Sequence, residues 1–273
     1  LGMIYETLTT GSSDEAFTEY GLIADQIEYP EDRTWVIYHL NPKARFHDGE
    51  PINVDDVIFT FNTLIEKGAP FYKAYYGDIV EVKDLGDRRV KFNFREGITN
   101  RELVLITGQL PVLPKHYWEG KDFSKSTLDP PLGSGPYRIK DFKAGKYITY
   151  ERVKDYWAED HPVNKGSNNF DIVRYDYYRD ATVALEAHRA GKYDFREENN
   201  SKMWATGYSG KIFDQNLTIR EEIPHELPRG MQGFAFNMRR SLFKDSKVRE
   251  AIGYAFDFEW SNKNLFYGQY KRT

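Results

Sequence analysis

Arg45-Phe46-His47-Asp48-Gly49-Glu50-Pro51-Ile52-Asn53-Val54-Asp55-Asp56-Val57 is the stretch on which the reading of the fold turns. Asp48-Gly49 and Pro51 carry turn chemistry. Asn53 is a good N-cap, and Asp55 and Asp56 complement the positive end of a helix dipole. Apolar residues then recur at Val54, Val57, Ile58, Phe61, Leu64 and Ile65, one face of a 3.6-residue period, and Gly68 stands just past the end. A turn feeding an amphipathic helix is predicted. Immediately upstream, Trp35 to Leu40 is rich in β-formers and reads as a strand.

Working outward, Ala69 to Tyr76 reads as an aromatic loop. Ile79 to Val82 and Val90 to Phe94 read as strands about a Gly86-Asp87 turn. The opening Leu1-Gly2-Met3-Ile4-Tyr5 also reads as a strand. Pro and Gly cluster over Asp129 to Pro136, which places a subdomain boundary there. Beyond it, strands are predicted over Tyr147 to Arg152, Ile172 to Tyr178, Leu217 to Ile223 and Gly233 to Asn237. A helix is predicted from an Asp180 cap to Gly191, and a last amphipathic one carries Val248, Ala251, Ile252, Ala255 and Phe256. Strands and helices mix without regular βαβ spacing, which makes the chain α+β or irregular α/β.

The 273 residues exceed the usual size of one domain, so two units, or one large lobe plus part of another, are expected. Aromatics make up 16%, with 20 Tyr, 18 Phe and 5 Trp. Such an excess suits a roomy cleft and equally suits a core. A formal net charge of −4 argues against a nucleic-acid partner. No apolar stretch approaches the roughly 20 residues that span a bilayer. Zero cysteine excludes disulfides, thiolate metal sites and a cysteine nucleophile.

Chemistry is sought and not found. His39, His47, His116, His161, His188 and His225 show no zinc-type spacing. Gly133-Ser134-Gly135-Pro136 lacks the Lys-Ser/Thr pair of a phosphate loop, and Gly207-Tyr208-Ser209-Gly210-Lys211 lacks the last glycine of a nucleophile elbow. The acidic pairs Asp55-Asp56, Glu197-Glu198 and Glu221-Glu222 are adjacent, and neighbours point in different directions. No enzyme, metal or cofactor is expected.

Several segments, in this order, resemble the bacterial extracellular solute-binding proteins of family 5, which serve peptide, dipeptide and nickel ABC importers. They are Ile4-Tyr5-Glu6-Thr7-Leu8, Leu22-Ile23-Ala24-Asp25, Arg45 to Ile52 with Asp55-Asp56-Val57, Gly133-Ser134-Gly135-Pro136-Tyr137, Asp155-Tyr156-Trp157, Ala190-Gly191-Lys192-Tyr193-Asp194, and Phe236-Asn237 followed by Phe243 to Ala251. Gly230-Met231-Gln232-Gly233-Phe234, Asp257 to Lys263 and Leu265 to Gly268 look closer to the YejA-type oligopeptide and microcin-type branch.

The resemblance implies a periplasmic-binding-protein-like two-lobe fold of the class II type. It also implies a chain much shorter than its relatives: residues 1–131 and 132–230 as two subdomains of the first lobe, and 231–273 as a hinge strand and the start of the second. The function implied is the periplasmic or extracytoplasmic binding component of an ABC importer, a monomer that closes on a peptide and docks the membrane permease. Glu6, Thr7 and Leu8 match the segment that lines the cleft in relatives, or else form an ordinary strand end. Phe71, Tyr72, Tyr75 and Tyr76 stand where relatives place a ligand-contacting loop, with Tyr72 and Tyr75 the preferred candidates. Phe236 and Asn237 match a strand near the hinge, where Asn237 either serves a peptide main chain or caps a turn. The alternatives are a non-peptide solute (nickel, haem, a sugar or a nucleotide-peptide antibiotic), a secreted hydrolase, and a purely structural interaction domain.

Overall fold

The computed structural model describes residues 2–12, 15–98, 100, 102–225, 230 and 233–272. The chain divides into two compact units, Leu1–Tyr177 and Tyr178–Thr273.

In the first unit, β1 (Thr9–Gly11) pairs with β2 (Glu19–Gly21). Then follow β3 (Ala24–Glu28), β4 (Trp35–Leu40), helix α1 (Val54–Lys67), the short helix α2 (Pro70–Tyr75), β5 (Ile79–Asp84) and β6 (Arg89–Phe94). β3-β4-β6-β5 is a four-stranded antiparallel sheet, in that order. Its alternation is strict: Val36, Tyr38 and Leu40 of β4 and Val90, Phe92 and Phe94 of β6 are buried, and the residues between them are not. Pairing puts Val36 opposite Phe92 and Tyr38 opposite Val90, so one face forms a continuous apolar layer. Val54, Val57, Phe61 and Leu64 of α1 cover that layer in the main core.

The start of α1 is fixed by a capping box. Asp56 N donates to Asn53 Oδ1 at 3.2 Å, and Asn53 N to Asp56 Oδ2 at 2.9 Å. The second Asp56 oxygen accepts from Lys115 N at 2.9 Å, and Thr60 Oγ1 accepts from Leu113 N at 2.8 Å. The helix thereby anchors residues 113–115, which follow α3 (Leu103–Gly108) and lead into α4 (Lys115–Trp118) at its first residue.

The Gly133–Pro136 turn is a packing device. Ser134 N and Gly135 N both donate to Ile4 O, at 2.8 and 2.7 Å. A Cβ on Gly133 would lie 2.2 Å from that carbonyl oxygen, so only glycine permits the approach. β7 (Tyr137–Lys143), β8 (Tyr147–Arg152) and β9 (Ile172–Asp176) complete this unit as an antiparallel sheet.

The second unit is helical: α5 (Ala181–Arg189), α6 (Ser201–Thr206), α7 (Lys211–Asp214), α8 (Ser246–Tyr254) and α9 (Phe258–Leu265). Asp180 caps α5 as predicted, accepting from Thr182 N and Val183 N. Ala184 and Leu185 are the buried apolar residues among those described.

Four expectations are corrected. Gly2–Ile4 form a turn rather than a strand, since main-chain groups of Met3 and Ile4 are taken by residues 134–137; Leu1 lies outside the described residues. Residues 70–75 are helical, Pro70 occupying the first turn where its missing N–H costs nothing. Leu217 to Ile223 is not a strand: Leu217 N and Thr218 N close the end of α7 on Ile212 O. Gly233 to Asn237 forms no strand and has no ladder partner among the described residues, and without cross-strand bonds β-formers make no sheet. Met231 and Gln232, with the boundary at 231, lie outside the described residues.

Candidate functional site

In the first unit, residues 5–8 run extended between two neighbours. On one side Val112 N donates to Glu6 O at 3.0 Å, and Thr7 pairs with Pro111. On the other, Ile23 N donates to Thr7 O, and Leu22 N and Ala24 N to Leu8 O. Alternate side chains of such a segment face opposite ways. Tyr5 and Thr7 line a cleft of about 290 Å³, together with Phe71, Tyr72, Tyr75, Tyr76, Gln109, Pro111 and Gly2. Glu6 and Leu8 do not line it.

The aromatic wall comes from α2 and Tyr76. Phe71 stacks on Tyr75 with ring centroids 5.0 Å apart and planes at 24°, and Tyr72 on Tyr76 at 6.1 Å and 12°. Edge contacts at 5.5 Å (Phe71–Tyr72) and 5.3 Å (Tyr75–Tyr76) brace the two stacks. Tyr76 is buried and reaches Phe61 of α1, which ties the wall to the main core. The Tyr75 hydroxyl donates to Gln109 Oε1 at 2.9 Å, and Gln109 Nε2 donates to Glu19 Oε1 at 3.1 Å. Burial raises the Tyr75 phenol above its ordinary pKa, helped by the carboxylates of Glu102 and Glu19. Burial also pushes Tyr5 up to about 12. The Trp118 indole lies near enough to oppose that shift, but neither Tyr5 Oη nor Trp118 Nε1 has a partner in hydrogen-bonding geometry.

Glu6 lies behind the cleft wall, where its carboxylate accepts from the Tyr156 hydroxyl and its N–H donates to Ser134 Oγ at 3.1 Å. Leu8 is wholly enclosed in the main core. Phe236 and Asn237 belong to the second unit, where they line a broad open concavity with Met238, Arg239 and Lys244. Asn237 Oδ1 accepts from Arg239 N at 3.2 Å, which closes a turn. Of the seven candidates, the structure brings Thr7, Tyr72 and Tyr75 together. Gln109 and Pro111 escaped the sequence reading because folding, not local pattern, carries them to Thr7. Tyr5 was detectable: it is two residues from Thr7 on the same side of an extended segment. Among the described residues there is no group of three or more His, Cys, Asp or Glu able to hold a metal ion.

The recess is open, and it is walled by aromatic rings and main chain. The chain belongs to the bacterial extracellular solute-binding proteins of family 5, whose middle-region model matches residues 19–273. It is similar to YejA of Escherichia coli K12, described as uncharacterized, with 46% identity over 270 residues, 99% of this chain and 44% of that one. It is 37% identical over 278 residues to the peptidoglycan-binding protein YepA of Agrobacterium fabrum, covering 99% of this chain and 45% of YepA. Among solved structures, the oligopeptide-binding protein AppA of Bacillus subtilis, in complex with a nonapeptide, superposes with a TM-score of 0.71 at 23% identity, over 100% of this chain and 51% of AppA. The chain thus spans less than half the length of those curated relatives. Members of the family are binding proteins, extracellular by description, and no helix described here is long and apolar enough to cross a membrane.

Proposed function

We propose that the whole protein to which this sequence belongs is the extracytoplasmic, periplasmic binding component of an ABC importer, taking up oligopeptides or peptide-like compounds as a monomer and handing them to a membrane permease. The observation that carries this reading is the convergence of Thr7, Tyr72 and Tyr75 on one aromatic cleft, in a chain 46% identical to YejA. The name of YepA, a peptidoglycan-binding protein, supports a peptide-bearing ligand. Residues 1–131 and 132–230 would be subdomains of one lobe and 231–273 the passage to a second, so that Thr7, Tyr72 and Tyr75 contribute one side of a two-sided site. Phe236 and Asn237 remain candidate ligand contacts at that passage. Binding without chemistry needs what the cleft has: apolar walls and main chain that hold a ligand without activating it.

The test is thermal shift and calorimetry on the full-length protein against a pool of short peptides. A ligand at a hundred times its Kd stabilises the folded state by about 2.7 kcal/mol, and mass spectrometry of the bound fraction then identifies it. If no peptide stabilises the protein, the peptide reading fails and sugars, metal complexes and nucleotide-peptides are tried in its place.

A further inference from the structure

We infer that the cleft of the first unit receives a single uncharged side chain of the ligand, aromatic or large aliphatic, and discriminates against acidic ones. This rests on the solute-binding reading above and adds the chemistry of the group recognised.

Size sets the first limit. About 290 Å³ lies at the small end of the roughly 300–1,000 Å³ typical of small-molecule sites, which fits one ligand group rather than a whole oligopeptide. The lining sets the second. Among the described residues it holds four aromatic rings on the α2 side and Tyr5 and Pro111 opposite, with no Asp, Glu, Lys, Arg or His. Two of its polar side chains, Thr7 and Gln109, are already engaged. Thr7 Oγ1 donates to Thr9 O, and Gln109 is engaged by Tyr75 on one side and Glu19 on the other. A charged group entering such a recess would lose water without gaining a counter-charge. An acidic one would also meet the Glu19 carboxylate, held behind Gln109 and by Thr9 Oγ1 at 2.9 Å.

Flat or bulky apolar groups gain instead. Phe71 is 61% exposed, so its ring is offered to solvent at the cleft rim while Tyr75 holds it from the other side. An incoming ring would extend an existing stack, and a stack adds to simple burial. A cation is the rival occupant, since ring faces attract it. One face of each wall ring is, however, already turned to a neighbouring ring, and no carboxylate lines the recess to pair with the cation.

The experiment uses the full-length protein and calorimetric titration of alanine pentapeptides carrying one guest residue (Phe, Leu, Lys or Glu) at each position in turn. At one position Phe and Leu should bind about tenfold tighter than the all-alanine host, with Glu weaker than the host. Phe71→Ala should abolish that gain. Phe195→Ala, which removes a still more exposed ring of the second unit, should leave it intact. The inference is overturned if no position shows the gain, if Lys is the preferred guest, or if the gain survives Phe71→Ala. Peptides that bind without guest preference sink this inference alone. If no peptide binds at all, the peptide reading fails and this inference falls with it.

Discussion

Glu6 adjoins the cleft without entering it, and its surroundings give it a measurable signature. Burial pushes its carboxyl up to about 7, more than the hydroxyl bond from Tyr156 pulls it down. In the unfolded chain the same group ionises near 4.5. Between these values the folded protein holds a proton that the unfolded chain has released. Stability is therefore fully present below 4.5, falls as pH rises through about 7, and levels off above it. At about 1.4 kcal/mol per unit, the change is a few kcal/mol. His47, lowered by burial, slopes the other way, so the comparison must be between variants. We expect the midpoint of the first unit's unfolding transition to drop by several degrees from pH 5 to pH 8, and Glu6→Gln to remove most of that drop. An unchanged slope in the variant would sink the assignment. The same residue shows why motif position alone does not say which of three neighbours faces the cleft. Matching a family segment locates residues 6–8 in the chain, but the direction of each side chain follows from alternation, and only Thr7 shares the cleft-facing side with Tyr5.

At the scale of elements, the legible parts were those whose local chemistry and burial agree. For α1, cap, apolar face and terminal glycine all appear in the residues, and the capping box forms as read. Removing it has a defined cost: Asn53→Ala should destabilise the first unit by about 1 kcal/mol in a denaturant titration, with the slope unchanged. A loss below about 0.3 kcal/mol would show that the Lys115 N–H bond to Asp56, not the cap, fixes the helix start. β4 and β6 were legible because each buries alternate residues against a paired neighbour. Residues 217–223 and 233–237 have similar composition but no ladder partner among the described residues, and β-propensity expresses fit to a neighbour more than a backbone preference. α2 was missed for the opposite reason: Pro70 and the aromatics read as a loop, although Pro in the first turn is a helix-start signal.

For the whole molecule, the two units differ in what they bury. The first has a continuous core running from β4 and β6 through α1 to Leu110 and Val112. The second leaves Phe195, Leu217, Ile219, Ile223, Phe234 and Tyr254 each at least 72% exposed, with little buried apolar surface to hold its helices. Local opening free energy follows buried apolar contact, so it should be much lower for α5–α9 than for the four-stranded sheet. Native-state hydrogen exchange on this chain should show amides of β4 and β6 protected to the level of global unfolding and those of α8 and α9 exchanging by separate, low-energy opening. In calorimetry the same asymmetry appears as two transitions rather than one, so a single unfolding midpoint must not be assigned to the chain as a whole. Equal protection across both units would contradict the division, because it would require the exposed residues of α5–α9 to be covered in solution. The cleft lies wholly in the first unit. Its aromatic wall is tied through Tyr76 and Phe61 to the continuous core, and a wall anchored in that way favours selecting a side chain by shape over adapting to any.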